Sequence, residues 1–417
     1  MTHFAVLTPP YPGHVNPMSA LARELIGRGH RVTAVGIAEA EALFDAPGLS
    51  FAAAGALSHP PGTLARLTAG MGRTTELIGV GGVIRAMARM TDMLCLEAPV
   101  VLERIGAEAV VADATEAAGG LLARHLGLPQ VSVANALLSN REPLVPPSFI
   151  GWAYHDSPWG AKRNLGGYRV ADWMMRPMSE IITRYDRAWE LGGLETVEDC
   201  LSATLQLSQT VPGFDFPRRR APAGLVHVGP LRTPETGHWN NDDPRPGVFC
   251  SLGTLQGGRL PIFTTVAQAC RELDLALVVA HGGKLAATEA AALPGRPRVE
   301  SFVPQRAVMA GMAAVVAHGG LNTVLDALAA GRPLVVVPLA FEQGAIAARV
   351  ARSGAGLVIA PRKLTPERLR EALTRLLVEP AFRLRAAALA REIAGAGGVM
   401  RAVTVIEATV APAVNRS

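Results

Sequence analysis

The 417-residue chain exceeds what one hydrophobic core usually serves, and 49% of its residues are hydrophobic, so we expect two domains. Its formal net charge of +5 is modest and its arginines are scattered, which excludes a nucleic-acid partner. No predicted helix spans a membrane and no signal peptide precedes the first strand, which predicts a cytoplasmic protein. The cysteines have neither metal nor disulfide spacing, so we expect no structural metal and buried, reduced thiols at Cys95, Cys200, Cys250 and Cys270.

The first predicted strand runs from His3 to Thr8, and a proline-rich loop follows it through residue 14. Asn16 is predicted to cap the next helix, with Pro17 at the first helical position, so His14 lies at a helix entrance. There the positive end of the helix dipole should disfavour the imidazolium ion and keep His14 neutral, as a general base near neutral pH requires. The alternative is a surface or capping histidine.

Two apolar segments of the first half each allow two interpretations. The glycines of residues 77–84 predict a mobile loop instead of a helix, and that loop would line an acceptor tunnel or touch a membrane surface. Residues 152–189 concentrate aromatic and methionine side chains, which fit an ordinary helical core as well as a cleft for an apolar ligand. These side chains belong to Trp152, Tyr154, Trp159, Tyr168, Trp173, Met174, Met175, Met178 and Trp189.

A carboxylate ends the apolar run that begins at Val110. Asp113 lies at the carboxyl-terminal tip of this predicted strand, where it could accept a hydrogen bond from His14 and orient its ring. An aspartate at a strand end is equally an ordinary cap for the next helix, predicted from Thr115 to Leu126. The residues alone leave both interpretations open.

Composition divides the chain near its middle. Residues 1–215 are predicted to form the first domain, residues 216–246 a linker rich in Pro, Arg, Asp and Asn, and residues 247–400 the second domain. Three consecutive arginines at 218–220 predict a solvated linker face, with a lipid-headgroup site as the alternative.

The second half restarts the strand-loop-helix pattern at Gly247. Ser251, Gly253 and Thr254 follow the first strand, where free amides and hydroxyls can meet a diphosphate. The His-Gly-Gly sequence at 281–283 also follows a predicted strand, but a simple turn is the better interpretation there.

Residues 301–343 predict a βαβ unit with an anion site. Apolar residues 313–317 form a strand, a helix runs from Leu321 to Ala330, Gly331 ends it, and residues 334–337 form the next strand. The glycines at 319 and 320 allow a phosphate to approach free N–H groups at the helix start. An ordinary tight turn is the alternative for this feature taken alone.

Polar side chains around that helix start complete the predicted site. His318 offers a hydrogen bond or a positive charge, and Asn322 and Thr323 offer donors in the first turn. Asp326 lies one turn beyond Asn322, where a carboxylate suits the two hydroxyls of a ribose.

This block resembles the donor signature of the UDP-dependent glycosyltransferases of the GT-B fold: an aromatic-x-Pro-Gln, then His-x-Gly-x-Asn-Ser/Thr, then an acidic residue and Gln. The resemblance implies that Phe302 stacks on uracil, Gln305 lies by the base or ribose, and Glu342 with Gln343 binds the sugar. The family's usual Trp, Glu and Asp are replaced by Phe302, Asp326 and Glu342. The implied donor-binding residues are Ser251, Gly253, Thr254, Phe302, Val303, Gln305, His318, Gly320, Asn322, Thr323, Asp326, Glu342 and Gln343.

The opening residues 3–32 and residues 125–149 are similar to those of bacterial zeaxanthin glucosyltransferases. The resemblance implies an α/β protein with two Rossmann-like domains facing across a cleft, and a final helix, residues 401–417, that returns to the first domain. It also implies His14 as catalytic base and Asp113 as its partner. We expect the acceptor to contact Tyr11, Asn135, Trp152 and Trp173.

The implied reaction is an inverting, metal-independent transfer of a hexose, glucose by preference, from a UDP-sugar to the hydroxyl of a hydrophobic acceptor such as zeaxanthin. The product would be a β-glycoside, with no cofactor beyond the donor substrate. A glycosyltransferase with broad acceptor range, acting on flavonoid, macrolide or lipid alcohols, is one alternative. A nucleotide-sugar-binding subunit without catalysis is another, and peripheral membrane contact is a further expectation.

Overall fold

The computed structural model describes residues 1–72, 77–235, 237–240 and 243–410. The first domain contains a parallel sheet whose strands are β1 His3–Leu7, β2 Arg31–Gly36, β3 Ser50–Ala53, β4 Ala109–Asp113, β5 Gln130–Ala134, β6 Gln206–Ser208 and β7 Leu225–His227. Its helices are α1 Pro12–Gly27, α2 Thr63–Gly72, α3 Leu77–Ile105, α4 Ala118–His125 and α5 Pro158–Trp189. The strand order in the described residues is β3-β2-β1-β4-β5-β6-β7.

The second domain repeats this architecture around a parallel sheet of β8 Gly247–Ser251, β9 Ala276–Ala280, β10 Arg298–Glu300, β11 Ala314–Ala317, β12 Leu334–Val336 and β13 Gly356–Val358. Its helices are α6 Gly253–Gln256, α7 Leu260–Glu272, α8 Ala287–Ala291, α9 Gln305–Ala310, α10 Leu321–Ala329, α11 Gln343–Ser353, α12 Pro366–Val378, α13 Pro380–Gly395 and α14 Gly398–Val410. The strand order in the described residues is β10-β9-β8-β11-β12-β13.

Both sheets change winding direction beside their first strand. In the first sheet β1 lies between β2 and β4, and in the second β8 lies between β9 and β11. Loops that leave two neighbouring strands in opposite directions open a crevice at the carboxyl ends of those strands, which is where ligands of such sheets bind. The predicted α/β fold with two facing Rossmann-like domains is therefore confirmed, and each domain presents one such crevice.

The start of α1 differs from its prediction. The helix begins at Pro12, not after Asn16, so His14 lies within the first turn and Pro17 lies inside the helix. Both prolines precede apolar residues with helical spacing, and Pro12 is the one that occupies the first helical position. His14 is thus held by helical backbone instead of by a loop.

The glycine-rich residues 77–84 are helical, contrary to the predicted mobile loop, because α3 begins at Leu77. The side chains of residues 77–79 lie outside the described part of the chain. Further along, Ile84 and Ala88 are buried, and Ala88 packs in the core between α3, α5 and the first sheet. Burial of this face supplies the stability that the glycines lack.

The predicted linker also contains ordered structure. Strand β7, at Leu225–His227, pairs with β6 and extends the first sheet into residues 216–246. Of the three arginines predicted on a solvated face, Arg219 and Arg220 are exposed, but the side chain of Arg218 is only 5% exposed. Arg218 lies 3.0 Å from the Asp215 carboxylate, which also binds the buried Arg349 of α11 at 2.7 Å. A buried carboxylate needs such partners because desolvation of an unpaired charge is costly. The chain therefore crosses between domains through a tight ion-pair cluster.

The segment Pro380–Val410 is, by length and composition, the one described helical stretch apolar enough to cross a membrane. It consists of α13 and α14, separated by Gly397, which has a φ of 86°. Helix α13 packs on α10 of the second domain, and α14 returns to pack on α1 of the first. Both helices thus bury apolar side chains within the protein. The four cysteines are buried and free.

Candidate active site

His14 and Asp113 form a hydrogen-bonded pair at the crevice of the first domain. Their side chains follow the neighbouring strands β1 and β4, and His14 Nδ1 lies 2.7 Å from Asp113 Oδ2. Burial alone would lower the pKa of His14, but the Asp113 carboxylate outweighs it and raises that pKa above its ordinary value. The predicted depression by the helix dipole is therefore wrong. Pairing leaves Nε2 of the neutral ring as the proton acceptor.

Asp113 is the hydrogen-bond partner of His14, but it does not cap the next helix as the alternative interpretation predicted, because α4 begins at Ala118 and not at Thr115. Asp113 instead fixes the turn between β4 and α4. Its Oδ1 accepts from the Thr115 backbone N–H at 2.8 Å and from the Thr115 hydroxyl at 2.7 Å, as in a turn cap. Its Oδ2 accepts from His14 and, at 2.7 Å, from Asn135 Nδ2. Burial would raise the pKa of Asp113, but His14 and Thr115 outweigh it and hold that pKa below its usual range. The carboxylate is ionised and fixed in orientation.

A cavity of about 430 Å³ separates this pair from the crevice of the second domain. His14 lines one wall and His318 lines the opposite wall. Of the predicted donor-binding residues, twelve line the cavity: Ser251, Gly253, Thr254, Phe302, Val303, Gln305, His318, Gly320, Asn322, Thr323, Glu342 and Gln343. Phe302 is 70% exposed, so its ring is free to stack on a planar group.

The start of α10 has the form of an anion site. His318 is buried, and burial lowers its pKa to about 4, so at neutral pH the ring is uncharged and offers a hydrogen bond. A side chain at Gly320 would lie 2.6 Å from His318 Nε2, and one at Gly253 would lie 2.9 Å from its Cε1. Glycine at both positions keeps backbone N–H groups open beside the imidazole.

Asp326 is the one predicted donor-binding residue that does not line the cavity. Its Oδ1 accepts from Arg232 Nε at 2.8 Å, and its Oδ2 accepts from Gln305 Nε2 at 2.8 Å. Arg232 lies in the segment predicted to be the linker. Both carboxylate oxygens are thus engaged by protein donors, which differs from the predicted open site for a ribose diol.

Arg232 also continues a hydrogen-bonded chain toward the His14–Asp113 pair. Its Nη1 donates to Gln209 Oε1 at 2.9 Å, and Gln209 Nε2 donates to Asn135 Oδ1 at 3.0 Å. Asn135 in turn donates to Asp113. Half-buried Arg232 and the buried side chains of Gln209 and Asn135 therefore connect the Asp326 carboxylate to Asp113, the partner of His14.

The loop before α11 positions the predicted sugar-binding residues. Gln343 Oε1 accepts from the backbone N–H groups of Leu339 and Ala340, at 2.8 and 2.9 Å. Phe341 has a φ of 53°, which is unusual outside glycine. The Gln343 side chain thus fixes the turn that presents Glu342 to the cavity, and its amide nitrogen remains available for a ligand.

The four predicted acceptor residues separate into two pairs. Tyr11 and Asn135 line the cavity, whereas Trp152 and Trp173 do not. Trp173 is 71% exposed on the outer face of α5, and Trp152 lies under the Arg163 guanidinium, 4.9 Å from its ring centroid. The aromatic segment was interpreted as a helical core or a cleft wall, but α5 exposes Trp159 and Trp173 to solvent.

Several residues at the cavity were missed by the sequence interpretation. Met87 of α3 adds apolar surface beside Val83, which belongs to the glycine-rich segment 77–84 that was interpreted as a tunnel wall or a membrane contact. Gln256 and Phe341 line the cavity from the second domain. Gln256 lies two residues after the predicted Ser251–Thr254 segment, so its helical neighbourhood was a usable signal. Arg232 is a single arginine in the predicted linker, and nothing in its sequence neighbourhood indicates that it belongs to the site.

Comparison with known proteins identifies the family. Residues 264–405 match the family described as the C-terminal domain of erythromycin biosynthesis protein CIII-like proteins. The chain is 37% identical over 416 residues to a zeaxanthin glucosyltransferase of Pantoea ananas, covering 98% of this chain and 96% of that protein. It is 36% identical over 426 residues to a zeaxanthin glucosyltransferase of Pseudescherichia vulneris, covering 99% and 98%. The chain belongs to the nucleotide-sugar-dependent glycosyltransferases of the GT-B fold.

Solved structures agree on the fold of this glycosyltransferase. The glycosyltransferase of kitacinnamycin superposes with a TM-score of 0.78 at 24% identity, covering 98% of this chain and 99% of that one. The calicheamicin glycosyltransferase CalG4 gives a TM-score of 0.73 at 24% identity, covering 99% of each chain. Among the described residues of this glycosyltransferase, no three His, Cys, Asp or Glu side chains gather as metal ligands. Metal independence and cytoplasmic location remain predictions.

Proposed function

We propose that this glycosyltransferase transfers glucose from UDP-glucose to a hydroxyl group of a hydrophobic alcohol of the carotenoid class, with inversion at the anomeric carbon. The observation that carries the proposal is that His14, paired with Asp113 behind it, and the His318–Gly320 anion site line one cavity from the two domains. The two relatives at 36 and 37% identity, both zeaxanthin glucosyltransferases, support this acceptor class.

In the proposed mechanism His14 Nε2 accepts the proton of the acceptor hydroxyl while Asp113 stabilises the imidazolium that forms. The acceptor oxygen bonds to the anomeric carbon from the His14 side, and the bond from that carbon to the diphosphate oxygen breaks. The leaving diphosphate gains charge, which His318 and the N–H groups at the start of α10 stabilise. An α-linked donor then gives a β-glycoside.

A second candidate is a natural-product glycosyltransferase with broad acceptor range. It is favoured by the 30% identity over 435 residues to a 4'-demethylrebeccamycin synthase of Lentzea aerocolonigenes, which covers 97% of this chain and 99% of that protein. Both candidate functions use the same donor-binding residues. The two functions differ only in which acceptor binds beside Tyr11, Val83 and Met87.

The test is incubation with UDP-glucose, UDP-galactose and dTDP-glucose, each against zeaxanthin in detergent and against flavonoid and macrolide alcohols, with products identified by mass. Glucosylated zeaxanthin formed well above the other products supports the proposal. Comparable turnover of all acceptors favours the second candidate. Binding of UDP by the wild type without any product from any acceptor would show a nucleotide-sugar-binding protein without catalysis.

A further inference from the structure

The outer face of α5 carries exposed aromatic and aliphatic side chains. Trp159, Leu165, Val170 and Trp173 are 59, 53, 53 and 71% exposed. In a helix with 3.6 residues per turn, positions 159, 166, 170 and 173 share one face, and 165 borders it. Two large exposed indoles within four helical turns are unusual for a surface that contacts only water.

Basic side chains are interleaved with these apolar ones. Lys162, Arg169 and Arg176 lie on the same face, are exposed, and make no ion pair with any residue in the described part of the chain. The nearest acids along the helix are Asp172, which binds Arg141, and Glu180, one turn beyond Arg176. The face between residues 159 and 176 therefore combines tryptophan with a net positive charge.

We propose that this face of α5 is a docking surface for an anionic lipid membrane. Tryptophan rings prefer the headgroup region of a bilayer, long basic side chains reach its phosphates, and the negative surface potential attracts the uncompensated cations. A second copy of the chain fits less well, because a twofold contact through this face would bring like charges together. Charge complementarity therefore selects the lipid surface.

The position of the surface connects it with the acceptor side of the cavity. On the opposite side of α5, Asn164 Nδ2 donates to the Pro143 carbonyl at 3.0 Å and the Tyr168 hydroxyl donates to the Val145 carbonyl at 2.9 Å. This loop begins beside Asn135, which lines the cavity. Helix α3, which packs on α5, supplies Val83 and Met87 to the same wall.

Docking through α5 would bring the acceptor wall close to a bilayer in which an apolar alcohol is dissolved. This part of the inference rests on the proposed function, but membrane binding itself does not. A vesicle-binding measurement needs neither donor nor acceptor, so its result is independent of whether the acceptor class is correct.

The experiment is co-sedimentation of the full chain with vesicles of phosphatidylcholine containing 30% phosphatidylglycerol, and with vesicles of phosphatidylcholine alone. We expect binding to the anionic vesicles that weakens in high salt, and a reduction of about tenfold or more in partitioning for Trp173→Ser combined with Arg169→Glu. The control combines Leu384→Ser with Arg368→Glu, exposed positions of α13 and α12, and makes the same change in charge with the loss of one exposed, though smaller, apolar side chain. It should bind as the wild type does.

Unchanged thermal unfolding and unchanged UDP binding in the α5 variant would exclude a folding defect as the cause of lost partitioning. Equal partitioning of the α5 variant and the control would overturn the proposal, as would absence of wild-type binding to anionic vesicles. A variant that loses a dimer in light scattering without vesicles, with partitioning unaffected, would assign the face to self-association instead.

Discussion

Asn322 Nδ2 donates a hydrogen bond of 2.9 Å to the carbonyl oxygen of Gly13, across the cleft between the two domains. In a regular α-helix that carbonyl would accept from the N–H of residue 17, but residue 17 is proline and has no N–H. Asn322 therefore supplies, from the start of α10, the donor that α1 lacks. The bond ties the helical turn that carries His14 to the anion site.

Replacing Asn322 should cost less stability when residue 17 can donate. We expect Asn322→Ala to reduce the free energy of unfolding by about 1 kcal/mol, because one hydrogen bond is lost, and the loss should shrink in a Pro17→Ala background. Denaturant unfolding of the two single variants and the double variant measures this coupling. Strictly additive effects would show that the two residues do not share the Gly13 carbonyl.

The acid limb of the pH-rate profile should report His14. Because the Asp113 carboxylate raises the pKa of His14 above 6.5, the neutral base is lost as the pH falls through that raised value, and kcat/KM should fall with it. Asp113→Asn removes the charge, so the limb should move to lower pH while the rate decreases. The profile is measured with a non-ionising acceptor from pH 5 to 9.

His14→Ala is the companion variant, and should reduce kcat by roughly 100-fold to 10,000-fold with UDP affinity nearly unchanged, as expected when a general base is removed. Turnover close to that of the wild type would remove His14 from the mechanism. A limb that stays in place in Asp113→Asn would show that the pair does not set the pKa that the rate reports.

Recognition of the ribose should be weak because Asp326 is occupied by Arg232 and Gln305. A free carboxylate bonded to the 2'-hydroxyl would favour UDP over 2'-deoxy-UDP by roughly tenfold to 100-fold. We expect the wild type to bind both with dissociation constants within about tenfold, and Arg232→Met, which frees one carboxylate oxygen, to increase the preference for UDP. Calorimetric titration with the two nucleotides measures the ratio.

Arg306→Met is the control for that ratio, because Arg306 also contacts the interdomain segment, at the Thr233 carbonyl, but does not bind Asp326. It should leave the preference unchanged. A wild-type preference for UDP above about 100-fold would mean that Asp326 leaves its protein partners when the nucleotide binds.

Glu342 should influence which hexose is accepted. It lines the cavity at the turn fixed by Gln343, and its carboxylate extends roughly 1.5 Å further than an aspartate at the same backbone position. We expect Glu342→Asp to change the ratio of kcat/KM for UDP-glucose and UDP-galactose, with UDP affinity unaffected. Identical ratios in both proteins would show that residue 342 does not contact the sugar.

The strand ends were predictable because each apolar run stops at a polar residue. Asp113 and His318 end such runs, and parallel strands place all their carboxyl ends at one edge, so the two halves of the site followed from local patterns. The start of α1 was not predictable in the same way, since Pro12 and Pro17 both satisfy the preference for proline in a first turn.

The remaining features could not be predicted because they depend on contacts between residues that are far apart in the sequence. Arg232 meets Asp326 across 94 positions, and neither residue's neighbours predict the contact. Trp173 was expected at the acceptor because aromatic and methionine side chains cluster in residues 152–189, but the structure places it 71% exposed on α5. Which side chains of a helix are buried depends on the elements that pack against the helix, and composition does not specify those elements.

Helix α14 joins the end of the described chain to its beginning. Glu407 accepts from Arg28 at 2.9 Å and lies 3.1 Å from His30, and Ala402 and Ile406 pack in the core beneath the first sheet. The first domain is therefore discontinuous in sequence. A hybrid enzyme that takes its first domain from one relative and its second from another must take α14 with the first, because a single crossover near residue 246 would bury a foreign helix against α1.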